Sequence, residues 1–182
     1  MFKPNYSITL ELLENIKKIT SLITNFNAKK YPHVVLSKFE LEARQISSYA
    51  STSIEGNPLP LTDVKMILKS RPEHVRDTER EVLNYNNALL WLDGKLKKTT
   101  LPLISHDYIH KIHKLVLDGL LSDEQLVGYR NEPVFVNDPR KRETIYWPPD
   151  HADVNVLMEE LVLFIKSNRK SLDPLILSGI FH

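Results

Sequence analysis

Residues 51–57 read STSIEGN and are followed at once by Pro58. Gly56 is a natural left-handed stop for a helix and Pro58 cannot continue one, so this stretch predicts a helix that ends at Gly56. Glu55 then lies in the last turn, where the helix dipole disfavours negative charge, and Ser51 shares its helix face. Spacing alone favours a solvated glutamate at the helix end. A carboxylate so placed nevertheless suggests a compensating cation, most naturally a buried arginine elsewhere in the fold.

The composition excludes several classes of protein. The chain has 182 residues, 42% hydrophobic and 26% charged, which is typical of one globular domain. The net charge of +1 does not supply the basic field that nonspecific nucleic-acid binding needs. The absence of cysteine excludes disulfides, thiolate catalysis and cysteine-ligated zinc. The sequence contains no signal peptide and no membrane-spanning apolar run, so we expect a cytoplasmic protein without a membrane partner.

The apolar periodicity predicts a mainly α-helical fold. Apolar residues recur at three- and four-residue spacing through most of the chain. One such stripe, in the N-terminal helix over residues 8–26, could belong to the core or to an interface. The helix that carries STSIEGN is expected over about residues 37–56. A long amphipathic helix is expected over residues 77–92, with one apolar side made of Val82, Leu83, Leu89 and Leu90.

Residues 128–150 have a different pattern. Two β-rich runs, Val134–Val136 and Thr144–Trp147, are separated by the polar segment NDPRKRE. This pattern predicts a β-hairpin with a long loop, which would have to lie on a helical body because an isolated hairpin is marginally stable. The basic residues of the loop are expected to be solvated.

Three histidines share one helix face. His106, His110 and His113 follow an i, i+4, i+7 pattern in a helix for which Ser105 is the expected N-cap and which closes near Gly119. Two histidines at i, i+4 can chelate zinc, but the sequence has no HExxH glutamate and no cysteine. Apolar neighbours favour packed histidines, so no metal ligand is assigned.

The segment SLDPLILSGIFH at the end of the sequence predicts a further helix. Asp173 is the expected N-cap and Pro174 the first helical residue. The apolar residues that follow run to His182 without a capping residue or polar tail. We therefore expect that the chain is truncated inside a core helix.

Several segments, taken in order, resemble motifs of the Fic protein family. SSYASTSIEGN, with Ser51, Glu55 and Gly56, resembles the inhibitory helix motif [ST]xxxE[GN]. Gly128-Tyr129-Arg130 followed by Val134–Val136 resembles the entry of the Fic hairpin called the flap. Residues 145–149, IYWPP, resemble its return strand, and DPLILSGIFH resembles the helix that leads into the active-site loop. The likeness covers roughly residues 45–182.

The Fic signature HPFx[DE]GNGRxxR is absent, and it would begin shortly after His182. The resemblance implies a mainly α fold, a Fic-like helical bundle with one β-hairpin, the flap. It also implies an N-terminal helical region over 1–76, which includes the inhibitory helix, and a Fic core over 77–182 that is incomplete at its C-terminus.

The implied activity of the parent protein is transfer of AMP from ATP, with Mg²⁺, to a Ser, Thr or Tyr hydroxyl of a target protein. Glu55 would pair with the second arginine of the missing signature and block the γ-phosphate, and Ser51 would help to hold the inhibitory helix. The target would dock on the flap by strand addition. Its docking residues would be Val134, Phe135, Val136, Ile145, Tyr146 and Trp147. The 182-residue chain itself is expected to be inactive, with no catalytic residue and no tightly bound ATP or metal.

Other functions fit the same residues. The chain could be a non-catalytic helical module that binds a protein through its hairpin. It could be a Fic-like regulator whose DNA-binding segment lies elsewhere, or a relative that transfers phosphate or phosphocholine or removes AMP. The expected partners are a target protein and ATP, and a homodimer would be typical of the family.

Overall fold

The computed structural model describes residues 2–97, 104–138 and 140–182. Those ranges contain seven α-helices and one antiparallel strand pair, which confirms a mainly α fold with one hairpin. The helices are α1 Leu10–Asn27, α2 His33–Ile54, α3 Leu61–Ser70, α4 Asp77–Leu96, α5 His106–Val116, α6 Val154–Asn168 and α7 Pro174–Phe181. The strands are β1 Val136–Asp138 and β2 Glu143–Tyr146, and short 3-10 helices lie at Asp123–Leu126 and His151–Asp153.

The described residues form two compact units. The first comprises 5–97 and 115–120, and the second comprises 2–4, 104–114, 121–138 and 140–182. The first unit contains the packed set of α2, α3 and α4. The expected boundary between residues 76 and 77 stays a prediction.

The core of the first unit is small and aliphatic. Val64 of α3 and Val82 of α4 are completely buried, and Ile67 and Ala88 are nearly so. Val64 and Ile67 lie three residues apart on one face of α3, and α3 packs against α2 and α4.

The expected apolar side of α4 is wrong in part. Val82 is buried, but Leu90 is 39% exposed, and the polar residues Asn84 and Asn86 are buried instead. The Asn84 amide donates to the carbonyl oxygens of Val116 (3.0 Å) and Asp118 (2.8 Å) and thereby satisfies the end of α5. A pattern of apolar residues cannot reveal this position, because the buried group is a hydrogen-bonding one.

Helix α5 has the expected N-cap, since the Ser105 hydroxyl accepts from the Tyr108 amide at 3.3 Å. The helix ends at Val116, and Gly119 follows in a turn with φ of 68°. This positive φ is the reason for glycine here, because L side chains rarely adopt it.

The second unit is built around α6 and α7. Its buried apolar residues are Leu126, Val162, Ile165 and Leu177. The Asp173 carboxylate accepts from the Leu175 amide at 2.8 Å and Pro174 opens α7, which confirms the predicted start of this helix. Phe2 packs edge-on against Phe164, with ring centroids 5.4 Å apart.

Helix α1 contributes no buried residue, and several of its large apolar side chains are exposed. Its end meets the start of α2 through an aromatic cluster in which the Phe26 and Tyr31 rings stack at 5.0 Å and Phe39 lies 6.2 Å from Tyr31. None of the described helices is both long enough and apolar enough to cross a membrane.

Candidate functional site

Helix α2 carries the segment STSIEGN at its C-terminus, as predicted, but its bounds differ from 37–56. It begins at His33, because the Pro32 carbonyl accepts from the amides of Val35 (3.0 Å) and Leu36 (3.1 Å) and so opens the first turn. It ends at Ile54, and Glu55 occupies the C-cap position. The expected span is therefore too short at its start and two residues too long at its end.

Gly56 ends α2 in a Schellman motif. Its φ of 95° is a conformation that L side chains rarely adopt. The Gly56 amide donates to the Ser53 carbonyl and the Asn57 amide to the Thr52 carbonyl, both at 3.0 Å. These two bonds satisfy carbonyls that the helix end would otherwise leave open, which confirms the predicted stop.

The Glu55 side chain is exposed at this helix end. Within the described ranges, its carboxylate takes part in no hydrogen bond and no ion pair. A cation would stabilise a carboxylate at the negative end of a helix dipole, and no described residue supplies one. The predicted pairing with an arginine stays a prediction.

Ser51 bonds to α4 and not to Glu55. Its hydroxyl lies 2.7 Å from the phenol oxygen of Tyr85 and donates to it. One turn of α2 is thereby attached to α4 next to the Glu55-bearing cap. The apolar pattern does not predict this role of Tyr85, although Tyr85 follows the buried Val82 at i+3 and so lies on the inward side of α4.

Asn57 is a second polar residue whose role the apolar pattern does not predict. It is only 8% exposed. Its amide nitrogen donates to the Thr78 carbonyl at 2.8 Å and to Oε2 of Glu81 at 2.6 Å. Its amide oxygen accepts from the Leu59 amide at 3.1 Å, an Asx-type turn. The combination of Asn57 with Pro58 was the available signal, because asparagine before proline favours such turns.

The hairpin exists, but its strands are displaced from the predicted runs. Pairing joins Val136 to Tyr146, Asn137 to Thr144 and Asp138 to Glu143, with a bulge after Val136. Val134 and Phe135 precede β1, Trp147 follows β2, and part of the polar segment NDPRKRE is in strand conformation.

The reason for this displacement is the turn chemistry of Asp138. Its carboxylate accepts from the Arg140 amide at 2.8 Å, and its carbonyl accepts from the Arg142 amide at 2.8 Å. Arg142 has φ of 55°, which closes the turn in four residues. The basic side chains 140–142 are exposed, as expected, while Pro139 lies outside the described residues.

The six predicted docking side chains are all exposed. Exposure ranges from 46% at Val134 to 71% at Trp147, and the Phe135 and Trp147 rings lie 5.7 Å apart. A two-stranded sheet with apolar side chains of this size on its surface can accept an extended peptide through main-chain hydrogen bonds and side-chain contacts.

Arg130 joins the two ends of the hairpin. Its guanidinium donates to the carbonyls of Glu132, at 3.1 Å, and Pro149. Gly128, with φ of 74°, turns the chain just before it. The predicted flap entry Gly128-Tyr129-Arg130 therefore has a structural role at the hairpin base.

The histidine face of α5 packs against Tyr129. His106 Nδ1 lies 2.7 Å from the Tyr129 phenol oxygen, and the His110 and Tyr129 rings are 4.6 Å apart. Burial raises the pKa of the Tyr129 phenol, which shares this hydrogen bond with the His106 ring. In the described part of the chain, no three His, Asp or Glu side chains are grouped closely enough to hold a metal ion.

The expectation that this chain holds no tightly bound Mg²⁺ or ATP stays a prediction. The described segments offer no set of acidic ligands for a cation. The sequence has neither GxxxxGK[ST] nor GxGxxG to cradle phosphates. We therefore derive no nucleotide chemistry from these residues alone.

No family model matches the sequence. The structure is similar to the crystal structure of a Fic family protein from Desulfovibrio desulfuricans G20, with a TM-score of 0.73 and 20% sequence identity. The similarity covers 100% of this chain and 52% of that protein, so the chain spans about half the length of its structural neighbour. The chain thus has a Fic-like fold.

Proposed function

We propose that these residues are the regulatory and target-docking part of a Fic-type protein adenylyltransferase, in which Glu55 is a built-in inhibitor. The transfer of AMP from ATP to a target hydroxyl is proposed for the polypeptide that joins this chain to a Fic signature loop. The Fic-like fold supports the proposal. The observation that carries it is the exposed Glu55 carboxylate at the C-cap of a helix closed by Gly56.

The inhibitory role follows from the charge of this position. Glu55 is exposed, lies at the negative end of α2 and has no cation among the described neighbours. An arginine that approached it would gain both from the carboxylate and from the helix dipole. In the proposed enzyme, the second arginine of the signature makes this pair, and Glu55 then stands where the γ-phosphate of ATP would bind.

The hairpin supplies the second half of the proposal. Its exposed apolar side chains and short strands would hold a target segment in extended conformation, with Arg130 keeping the base closed. Recognition through main-chain hydrogen bonds tolerates many target sequences. The same surface also favours the alternative function, a helical module that binds a protein without modifying it.

The test of the inhibitory role is auto-AMPylation of the full-length polypeptide with labelled ATP. Glu55→Gly and Glu55→Gln should both raise incorporation, because each removes the carboxylate. Glu42→Gln, which removes an exposed carboxylate from the same helix, is the matched control and should leave incorporation unchanged. Equal labelling of wild type and both Glu55 variants would refute the inhibitory role.

The choice between transferase and binding module is made by the coding sequence after His182. An HPFx[DE]GNGRxxR run there would support the transferase. A stop codon, or a loop that lacks its histidine and arginines, would leave the binding module and remove the proposed partner of Glu55.

A further inference from the structure

The Asn57 side chain makes three hydrogen bonds at the turn that follows Glu55. The side-chain amide donates twice, to Thr78 and Glu81, and accepts once, from Leu59. The backbone amide donates to Thr52. A single buried residue therefore connects the last turn of α2, the loop after it and the first turns of α4.

Asparagine is the side chain that this environment requires. The two acceptors are a carbonyl and a carboxylate, and the third partner is a donor, so the side chain must offer two N–H groups and one oxygen over a short reach. Aspartate would lose both donors and bring its own charge next to Glu81. Alanine would leave the Thr78 carbonyl and the Glu81 carboxylate without this partner.

In the sequence, Glu55 lies between two residues that form hydrogen bonds to α4. Ser51 bonds to Tyr85 on one side of it, and Asn57 bonds to Thr78 and Glu81 on the other. Gly56, with its positive φ, supplies no side-chain contact, since nothing lies within 4 Å of a Cβ built there. After the helix end, the Asn57 side chain therefore attaches the turn that follows Glu55 to α4.

We propose that Asn57 is the positioning residue of the inhibitory element: by fixing the turn after α2 to α4, it holds the Glu55 carboxylate in its inhibitory place. This inference rests on the proposed function of Glu55. Asn57 does not contact the nucleotide in this proposal, and its loss acts only through Glu55.

The test compares Asn57→Ala with Glu55→Gly and with the double variant in the full-length polypeptide, with auto-AMPylation as the readout. Asn57→Ala should raise the rate, because loss of its hydrogen bonds should increase the population of the released turn. A change of roughly 5- to 30-fold is expected. In the Glu55→Gly background, Asn57→Ala should add nothing. A residue that only supports the fold would lower the rate in both backgrounds.

Asn84→Ala is the matched control. Asn84 is also buried, and its side-chain amide also donates two hydrogen bonds. Both acceptor carbonyls lie at the end of α5 and not beside Glu55. We expect it to destabilise the protein without raising the rate. An increase in the auto-AMPylation rate for Asn84→Ala equal to that for Asn57→Ala would overturn the inference, because a general loss of stability would then explain both increases.

An exchange of the amide and the carboxylate between positions 57 and 81 gives a rescue test. Asn57→Asp should raise the rate by placing two carboxylates together, and Glu81→Gln in the same chain should restore inhibition, since the glutamine amide can donate to Asp at 57. Failure of this rescue together with an unchanged Asn57→Ala variant would overturn the role of Asn57. If Glu55→Gly does not raise the auto-AMPylation rate, the proposed function of Glu55 is refuted. This outcome differs from a failure of Asn57 alone, in which Glu55→Gly still raises the rate.

Discussion

At the residue scale, the end of α2 is governed by polar contacts of single side chains. Ser51 and Asn57 both bond to α4, while Glu55 between them is exposed. A buried neutral hydrogen bond contributes about 1 kcal/mol net, and an orphaned partner costs more. The attachment of the Glu55-bearing turn is therefore a matter of a few hydrogen bonds that single substitutions can remove.

The Ser51–Tyr85 bond can be measured on its own. Ser51→Ala and Tyr85→Phe should each lower the free energy of unfolding by about 1 kcal/mol, because each leaves one partly buried hydroxyl without its partner. The double variant should lose less than the sum, with a coupling of at least about 0.5 kcal/mol in urea denaturation. Strict additivity would contradict the bond, and Ser53→Ala, at an exposed position of the same turn, is the control.

At the element scale, the start of α4 shows how one carboxylate stabilises a helix end. Oε2 of Glu79 accepts from the Arg76 amide at 2.9 Å, and Oε1 accepts from the Arg76 guanidinium at 2.6 Å. The hydrogen bonds from Arg76 hold the pKa of Glu79 below its ordinary value. The negative charge also lies at the positive end of the helix dipole. Thr78 and Glu81, which Asn57 contacts, lie on either side of Glu79 in the sequence.

The lowered pKa of Glu79 predicts a pH dependence with a defined sign. The unfolded chain protonates this carboxyl first, so its stabilising effect is complete above the ordinary glutamate pKa and is lost as pH falls through the lowered one. Glu79→Gln should remove that part of the acid dependence in thermal unfolding measured over acidic pH. Glu73→Gln, an exposed carboxyl ahead of the same helix, should leave the profile unchanged. An acid profile of Glu79→Gln that matches wild type would contradict this.

At the scale of the whole molecule, the chain has a Fic-like fold, and the expectation that it does not bind ATP tightly stays a prediction. The fold similarity covers the whole chain, yet the described residues contain no group that could hold a cation, and the sequence has no glycine-rich phosphate loop. The helical body and the hairpin are thus present without the proposed catalytic loop.

The 182-residue chain should therefore bind ATP weakly or not at all. With about 1 mM ATP and Mg²⁺, thermal unfolding should shift by no more than the equivalent of about 0.4 kcal/mol, the value for a Kd of 1 mM or weaker. The full-length Glu55→Gly variant, in which the proposed block is removed, is the positive control. Micromolar binding of ATP by residues 1–182 would contradict the proposed division of roles.

The sequence by itself determined the features that depend on local backbone chemistry. Helical periodicity, the stop at Gly56 and the caps at Ser105 and Asp173 could all be predicted, because neighbouring residues decide them. The hairpin was predicted too, but its register was not. The turn at Asp138 places the polar residues Asn137, Asp138 and Glu143 in the strands, although their composition favours a loop.

Only the tertiary structure decided which polar groups are buried and what they bond. Asn84, Asn57 and the Ser51–Tyr85 pair join segments from 21 to 34 residues apart, and no periodicity records such partners. The physical reason is that a buried amide or hydroxyl is stabilised by one specific partner, whereas an apolar side chain needs only removal from water. The sequence therefore pointed to Glu55, and the structure showed what holds the turn that carries it.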